Sequence, residues 1–376
     1  MADKQKPTRA KWLLFGMVGC LALCLVSIIA GGAFLWTQLP RSEAQTEGPI
    51  PQPTVAITAQ TIDQVRELYR IPQPGYVYDV VWSPDGLTLA AAVVGSGNEP
   101  GSVQLWNALS GDKLRSIEQV RVTRLAFSPD GKLLAAAGDA GVIVWNLADG
   151  YKLSNTPLIG VWARSLAFSP DSRILAYKFR DTVSLLEMPG GRVLNTFQQA
   201  SDRLEFAFLP DGKALLIASI AYDMTTYEYG EATFTVWEID SGRVLRTFTQ
   251  PDGIGELAVA PDGKSLALGI SSNTLRILDL ESGQQLQTFT GFEFGVPRFA
   301  FSPDGSVLAA GEGVGFEVAS PSGLRLFDVT TGREAPLLKG HTGVIFNVAF
   351  SPDGRLLATA SEDKTVRLWG VPPEAK

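Results

Sequence analysis

Residues 340–369 read GHTGVIFNVAFSPDGRLLATASEDKTVRLW, and they contain the phrase that organises the whole chain. That phrase is FSPDG at 350–354, and it or a close variant occurs seven times in the 376 residues. Its prolines recur at intervals of 40 to 51 residues and are Pro84, Pro129, Pro170, Pro210, Pro261, Pro303 and Pro352. A period of this length indicates one supersecondary unit per repeat.

Each unit reads as four short strands, and the last unit shows the first three at 348–350, 356–360 and 365–369. Ser-Pro-Asp-Gly supplies the first turn, because Pro fixes φ, Asp can accept a bond from the following backbone and Gly tolerates positive φ. In six units a second turn into a fourth strand is marked by Gly111, Gly150, Gly191, Gly242, Gly283 and Gly332. Four strands per period predict the blades of a β-propeller rather than a sandwich.

The seventh unit lacks residues for a fourth strand, while a strand-like stretch at 62–69 precedes the first phrase. We expect this N-terminal strand to complete the last blade, which would close the ring and cover an exposed sheet edge. The predicted fold is therefore all-β, a seven-bladed β-propeller over residues 57–371.

Residues 340–369 closely resemble a WD-repeat unit in the order of Gly-His, Ser-Pro-Asp-Gly, Ser-x-Asp and the final Trp. The resemblance covers residues 57–371 and is weaker in the other six units. It implies a structural hydrogen-bond network of His341, Asp363, a strand hydroxyl (Ser361 or Thr359) and Trp369. The other units depart from it, because their His position holds Gln73, Glu118, Ile159, Gln199, Gln250 and Phe292.

The N-terminal region predicts one transmembrane helix. Residues 12–36 form an uncharged run of 25 residues, and about 20 helical residues span a bilayer. A basic tail at 1–11 precedes the run, so we expect a cytoplasmic N-terminus, a Pro-rich stalk at 37–56 and an extracytoplasmic propeller at the cell membrane. The anchor and the resemblance together suggest a bacterial cell-envelope protein.

Two other interpretations of this region are a cleaved signal peptide and a lipoprotein modified at Cys20. The apolar run is longer than a signal peptide needs, and it continues for 16 residues past that cysteine. A stripe of small residues would also permit a helix-mediated homodimer, and it consists of Gly16, Cys20, Cys24, Ser27 and Gly31.

Composition argues against most chemistry in the body of the chain. The net charge is −7, and residues 1–41 hold five basic residues and one acid, so the remainder is more acidic and unsuited to nucleic acid. His341 is the one histidine, and both cysteines lie in the apolar N-terminal run. We therefore expect no catalytic triad, no metal site and no cofactor.

The length differences between repeats fall between the second and third strands, with insertions at 95–100, 221–232 and 311–322. In a WD-repeat propeller these loops share one face with the connections between blades. Aromatic residues mixed with acids are typical of protein-binding hot spots. The candidate partner-binding residues are Tyr76, Arg121, Trp162, Asp202, Tyr222, Tyr227, Tyr229, Phe292, Phe294 and Phe316.

The sequence thus predicts a non-enzymatic scaffold that binds protein partners at the membrane. The alternative is a propeller enzyme or sensor with a small molecule in its central channel, because propellers support both functions.

Overall fold

The computed structural model describes residues 48–95, 101–119, 121–139, 141–148, 152–156, 165–199, 201, 203–223, 228–251, 253–270, 273–292, 298–312 and 322–373. Within them the prediction of an all-β, seven-bladed propeller is confirmed, with seven separate four-stranded antiparallel sheets. The predicted tail at 1–11 and transmembrane helix at 12–36 lie outside these residues. In the described part of the chain, no helix is long and apolar enough to span a bilayer.

The first four blades follow the repeats in order, and in each the strands run from the innermost to the outermost. Blade 1 comprises β2 (Tyr76–Trp82), β3 (Thr88–Val94), β4 (Gly101–Asn107) and β5 (Lys113–Gln119). Blade 2 comprises β6 (Val122–Phe127), β7 (Leu133–Gly138), β8 (Gly141–Asn146) and β9 (Lys152–Thr156). Blade 3 comprises β10 (Leu166–Phe168), β11 (Ile174–Phe179), β12 (Thr182–Glu187) and β13 (Arg192–Gln198). Blade 4 comprises β14 (Arg203–Phe208), β15 (Ala214–Asp223), β16 (Glu228–Glu238) and β17 (Val244–Gln250).

The last three blades include the one that joins the two ends of the described chain. Blade 5 comprises β18 (Ile254–Val259), β19 (Ser265–Ile270), β20 (Thr274–Asp279) and β21 (Gln285–Phe289). Blade 6 comprises β22 (Phe299–Phe301), β23 (Val307–Gly311), β24 (Gly323–Asp328) and β25 (Leu338–Lys339). Blade 7 comprises β26 (Ile345–Phe350), β27 (Leu356–Ser361), β28 (Thr365–Gly370) and, outermost, β1 (Arg66–Pro72).

The strand that completes blade 7 lies later in the chain than expected. Residues Ile62–Gln64 form a 3₁₀ helix, and β1 begins at Arg66 rather than at residue 62. Its register on β28 runs from Arg66 opposite Gly370 to Pro72 opposite Thr365. The ring is thus held together by antiparallel hydrogen bonds between the first and last strands.

The repeated Ser-Pro-Asp-Gly turns are built by side chains as well as by backbone. Ser351 Oγ donates to Asp353 Oδ1 at 2.6 Å and accepts from the Leu356 amide at 2.9 Å. Gly354 has φ +68°, a conformation that costs glycine little. The same bond from serine to aspartate recurs at Ser83, Ser128, Ser169 and Ser302.

The core lies between neighbouring blades. Ala90 and Ala92 of β3, for example, pack with Leu134 and Trp145 of blade 2. Small residues in the second strand let the larger third-strand residue of the next blade fit against the sheet, and close packing of this kind is what stabilises a protein interior.

Antiparallel strand order places the connections at two ends of the blades. We call one end the turn face, which carries the Ser-Pro-Asp-Gly turns and the turns between third and fourth strands. The opposite end is the loop face, which carries the loops between second and third strands and the connections between blades.

Part of the predicted stalk lies on the turn face. We call residues 48–57 the strap. The amide of Ile50 donates to Leu109 O at 3.0 Å, the amide of Ile57 donates to Gly354 O at 2.8 Å, and both side chains are buried. Residues 48–56 of the predicted stalk thus contact the blades, while the assignment of 37–56 as a stalk stays a prediction. The isoleucines of the strap have apolar blade surfaces to cover, and burial of that area stabilises the bound segment.

Candidate functional site

The described part of the loop face carries an aromatic rim at blades 7 and 1, which we define as Tyr76, Tyr78, Phe346 and Lys364. The Tyr78 and Phe346 rings stack with centroids 4.7 Å apart and planes 3° from parallel. Tyr76 is exposed, and Lys364 Nζ lies 5.8 Å from its ring centroid. The rim combines partly exposed apolar area with a cation, as protein-binding hot spots do.

The rim forms because two strand entries are irregular. The β2–β3 register shifts between Val77 and Asp79, and the β26–β27 register shifts between Ile345 and Asn347. Such bulges redirect the extra residue, here Tyr78 in blade 1 and Phe346 in blade 7. Tyr76 was predicted from the sequence to lie at this rim. Neither stacked ring was predicted, although each lies six residues before its phrase proline.

The described part of the predicted insertion at 221–232 extends two paired strands. Strands β15 and β16 continue to Asp223 and Glu228, with Tyr222 opposite Tyr229. Tyrosine is favoured in strands, and the pairing of Tyr222 with Tyr229 continues both strands through residues that were predicted to form a loop. The side chains of these two tyrosines lie outside the described residues, so their role in partner binding stays a prediction.

Phe292 is not available to a partner, contrary to the prediction. Phe292 is 4% exposed, and its ring centroid is 6.0 Å from the ring centroid of Phe327. The guanidinium carbon of Arg325 lies 4.1 Å from the Phe292 centroid. Phe292 holds the position of the family's histidine in blade 6, and an aromatic pair with a cation replaces the polar network there. Burial of a large apolar side chain next to Phe327 explains its placement.

The remaining predicted residues differ in what the structure describes. Arg121 is half-buried directly before β6, and its carbonyl accepts from the Asp139 amide at 3.0 Å. Five candidates lie outside the described residues, namely Trp162, Asp202, Tyr227, Phe294 and Phe316. Their assignment to a partner-binding face remains a prediction.

In blade 7 a hydrogen-bonded chain links strands β27 and β28 to the loop face. Trp369 Nε1 donates to Thr359 Oγ1 at 2.9 Å, and Thr359 Oγ1 lies 2.6 Å from His341 Nε2. His341 Nδ1 lies 2.8 Å from Asp363 Oδ2. The consistent assignment is a neutral imidazole that donates to the aspartate and accepts from the threonine.

Thr359, not Ser361, is the strand hydroxyl in this chain of bonds. Ser361 instead donates to Gly343 O at 3.1 Å and accepts from the Asp363 amide at 3.1 Å, which shapes the adjacent turn. Burial lowers the pKa of His341 despite its bond to Asp363. The one histidine of the chain therefore holds a blade together and has no free nitrogen for catalysis.

The central channel carries a polar ring that the sequence analysis did not identify. Each blade contributes one residue, always five positions before the phrase proline, in or directly before the innermost strand. We define the channel ring as Asp79, Arg124, Ser165, Glu205, Glu256, Arg298 and Asn347, which line a cavity of about 190 Å³. The fixed offset from the proline was a visible signal, because a period of one residue per blade must produce a ring.

Pairs across neighbouring blades satisfy most of the ring. Arg298 of blade 6 donates to Glu256 of blade 5, and Ser165 of blade 3 donates to Glu205 of blade 4. Lys178 Nζ on β11 lies 3.3 Å from Glu205 Oε1. The ring holds three carboxylates and two guanidinium groups. Lys178 lies outside the ring and supplies a third cation, so the six groups together are neutral when all are charged.

The remaining aspartate of the ring is held by blades 1, 2 and 7. The Leu125 amide donates to Asp79 Oδ2 at 2.7 Å, and Asn347 donates to Asp79 Oδ1. Burial raises the pKa of Asp79 to about 6, although the Arg124 charge and these hydrogen bonds oppose the shift. Burial also raises the pKa of Glu256 well above its usual range, and the nearby negative charge of Glu205 adds to the effect.

The channel ring offers little for catalysis. It contains no imidazole or thiol, and its hydroxyl, Ser165, donates to a carboxylate that Lys178 also contacts. Among the described residues, no group of three or more His, Cys, Asp or Glu side chains is arranged to hold a metal ion. The arrangement is that of an internally paired polar network, which links blade 1 to blades 2 and 7, blade 3 to blade 4 and blade 5 to blade 6.

Seven four-stranded blades with this repeat define the class of the protein. The WD40 family model, described as WD domain, G-beta repeat, matches residues 332–370, and a model described as eukaryotic translation initiation factor eIF2A matches residues 55–179. The resemblance to the WD-repeat family is thus supported by the match of the last repeat and by seven four-stranded blades, which fit that family.

Several curated relatives carry the same name in different plants. The guanine nucleotide-binding protein subunit beta of Oryza sativa subsp. indica is 26% identical over 258 residues, which are 63% of this chain and 66% of that protein. The proteins of that name from Zea mays and Arabidopsis thaliana are 25% identical over 258 and 255 residues, with the same coverage. The similarity therefore spans 66% of the length of each relative.

Proposed function

We propose that this chain is a membrane-anchored, non-enzymatic platform whose loop face binds protein partners. The observation that carries the proposal is the aromatic rim, where Tyr76 and the stacked pair of Tyr78 and Phe346 lie beside Lys364. Rigid aromatic rings lose little conformational entropy on binding, so such a surface favours association. The relatives support it, because each is by name a subunit of a guanine nucleotide-binding protein.

The two faces differ in how the chain itself uses them. The strap covers the turn ends of blades 7 and 1, with Ile50 bonded to Leu109 and Ile57 bonded to Gly354. In the described part of the chain, no such segment crosses the aromatic rim. The loop face is therefore the better place for a partner, and the buried blades hold it rigidly for display.

The membrane part of the proposal rests on the sequence of residues 1–47. The uncharged run at 12–36 would cross the bilayer, and the basic residues before it favour a cytoplasmic N-terminus with the propeller outside. A tethered propeller would hold its partners near the bilayer and raise their effective concentration. Protease added to intact cells should then degrade the propeller, and protection until the cells are lysed would reverse the orientation.

Partner capture tests the loop face. The full chain is tagged, solubilised in detergent and compared with the Tyr76→Ala plus Phe346→Ala variant. We expect the variant to lose a protein that the unchanged chain captures, because the two rings supply the contact area. Leu286→Ala is the matched control, since Leu286 is exposed on an outer strand far from the rim in the fold.

The same samples separate the platform from its alternative, a ligand sensor. A folded double variant that captures as much partner as the unchanged chain would refute the rim as the site. If no variant captures a protein and a metabolite raises the melting temperature of the chain, a ligand in the central channel becomes the better explanation. Glu256→Gln should then abolish that shift, because Glu256 lines the cavity.

A further inference from the structure

The outer strands share a leucine that the sheet register leaves unpaired. In β1 the register shifts between Glu67 and Tyr69, and Leu68 is the extra residue. The same bulge recurs in the outer strands of blades 1 to 5, at Leu114, Leu153, Leu194, Leu245 and Leu286. Each of these bulges lies near the turn face, because it is opposite the end of the third strand at that face.

The strap fills the groove beside the first of these leucines, between blades 7 and 1. A methyl group at Gly370 would meet Pro53 Cγ at 3.0 Å and Leu68 Cδ1 at 2.9 Å, so the proline and leucine side chains both pack against the backbone of Gly370. Gln52 Nε2 donates to Ala108 O at 3.0 Å, next to the bond from Ile50 to Leu109. Leu68 is consequently only 9% exposed.

The equivalent groove between blades 3 and 4 is open. The residues in register with Leu68, Ala108 and Leu109 are here Leu194, Ile239 and Asp240, and they line a cavity of about 610 Å³. Leu194 is 41% exposed, because no described segment covers it as the strap covers Leu68. The molecule thus shows one groove of this form filled and another of the same form unfilled.

We propose that the groove between blades 3 and 4 binds an extended, proline-containing segment of a partner protein that carries an aliphatic side chain and basic residues. We expect the partner segment to bind in an extended conformation like that of the strap. Pro51 and Pro53 favour this conformation in the strap, and a segment that is already extended loses little entropy on binding. Exposed Leu194 and half-buried Ile174 and Ile239 offer apolar area to the aliphatic side chain.

The charge of the groove sets the second requirement. Where the filled groove has Gly370 and Leu109, the open groove has Glu187 and Asp240. Its charged lining comprises four acids and two bases, namely Asp171, Glu187, Asp211, Asp240, Arg173 and Lys213. The strap itself is uncharged and matches the more neutral groove, whereas an acidic groove favours a segment with lysine or arginine.

A peptide titration tests this site independently of the loop face, which lies at the other end of the blades. The probes are a labelled peptide with the sequence of residues 48–57 and the same peptide with a lysine added at each end. In the full chain the strap occupies its own groove, so added peptide must bind elsewhere. Leu114, Leu245 and Leu286 are also exposed on outer strands, so substitutions must locate the bound peptide. We expect saturable binding, tighter for the lysine peptide at low salt, with the difference shrinking as salt is added.

Substitutions decide where the peptide binds. Leu194→Glu should weaken binding by about tenfold or more, since it replaces the apolar contact with a like charge of the groove. Asp240→Lys is a second variant on an exposed turn residue, and it should weaken the lysine peptide selectively. The matched control is Leu286→Glu, which changes the corresponding leucine of blade 5 and should leave binding unchanged.

Three results would overturn the proposal. The first is no saturable binding of either peptide to the folded chain. The second is an equal loss of binding in Leu194→Glu and Leu286→Glu, which would indicate non-specific contact with outer strands. The third is a dimer of the full chain that Leu194→Glu dissociates, because a second copy would then occupy the groove.

Discussion

Arg367 on the last strand donates from Nη1 to Glu67 Oε2 at 2.8 Å, a bond between side chains 300 residues apart in the chain. Glu67 belongs to β1, so the bond crosses the joint at which the ring closes. Arg367 Nη2 also lies 3.3 Å from Asp363 Oδ2, and Asp363 bonds His341. The closing strand is therefore coupled to the polar network of blade 7 by side chains as well as by its backbone.

Glu67→Gln should lower the free energy of unfolding by about 2 kcal/mol, because it leaves the buried Arg367 guanidinium with one carboxylate instead of two. Urea unfolding of the full chain measures the loss as a lower midpoint with an unchanged slope. Arg192→Gln is the control, since it breaks the exposed pair with Glu187 and should leave the midpoint unchanged. Equal midpoints for Glu67→Gln and the unchanged chain would mean that the backbone ladder alone closes the ring.

A pH series tests the neutral state of His341. Burial lowers its pKa below the usual 6.5, so the unfolded chain binds a proton in a range where the folded chain does not. Stability attributable to His341 is therefore present above about pH 6.5 and is lost as the pH falls. The advantage of the unchanged chain over His341→Gln should shrink by up to about 1.4 kcal/mol per pH unit below that point.

Titration of Asp363 does not contribute to this pH dependence. Its burial is outweighed by hydrogen bonds from His341, Thr365 and the Thr342 amide, which hold its pKa well below the usual range. It stays charged throughout a series from pH 7.5 to 5. An advantage over His341→Gln that stays constant across the series would contradict a neutral, buried imidazole.

Turn chemistry made the fold predictable from sequence. The Ser-Pro-Asp-Gly phrase encodes a local structure, and Ser351 and Asp353 form it by contacts within a few residues. Closure by an N-terminal strand was also predictable from the sequence. The residue at which this strand begins was not, because nothing in the composition of 62–66 separates the 3₁₀ helix at 62–64 from the strand that begins at Arg66.

The site was less predictable because tertiary packing decides which aromatic side chains are exposed. Phe292 and Tyr76 are both aromatic residues near a blade connection, yet one packs on Phe327 and the other is exposed. The strap is buried in an apolar groove that exists only in the assembled propeller. The sequence does not show this groove, so the prolines at 49–53 predicted a stalk. The channel ring was readable from its fixed offset, although the pairing of Arg298 with Glu256 was not.

Glu256→Gln should become more stabilising, relative to the unchanged chain, as the pH rises from 7 to 8.5. Burial and the charge of Glu205 raise the pKa of Glu256, so the folded chain keeps a proton that the unfolded chain has already released. A group of this kind contributes stability that is lost as the pH rises through its folded-state pKa. Glutamine has no such proton, and melting temperatures at several pH values measure the difference.

The surface variant Glu118→Gln serves as the control for the channel ring, because Glu118 is exposed on β5. Its melting temperature should follow that of the unchanged chain at every pH. Asp79 has a pKa of about 6 and interacts with Glu256, so the difference is read from pH 7 to 8.5, where Asp79 is ionised in both chains. A constant difference between Glu256→Gln and the unchanged chain would show that Glu256 is fully ionised over this range.

Phe292→Ala should cost about 3 kcal/mol of stability and leave partner capture intact. The substitution removes a buried ring from Phe327 and takes the aromatic face away from Arg325, whose guanidinium would remain bonded to Glu334 at 2.7 Å. Urea unfolding measures the cost, and capture at a temperature well below the melting point measures function. Loss of the partner in a folded variant would restore Phe292 to the binding face.

Substitutions in the strap test whether residues 48–57 bind the blades in solution or extend from them as a stalk. Ile57 is 1% exposed and packs with blades 6 and 7, whereas Val55 is exposed two residues earlier. Ile57→Ala should therefore lower the free energy of unfolding by about 2–4 kcal/mol and speed proteolysis within 48–57, while Val55→Ala should change neither. Equal stability and equal proteolysis of the two variants would mean that the strap does not bind the blades in solution. The strap would then no longer serve as a model for a peptide bound between blades 3 and 4.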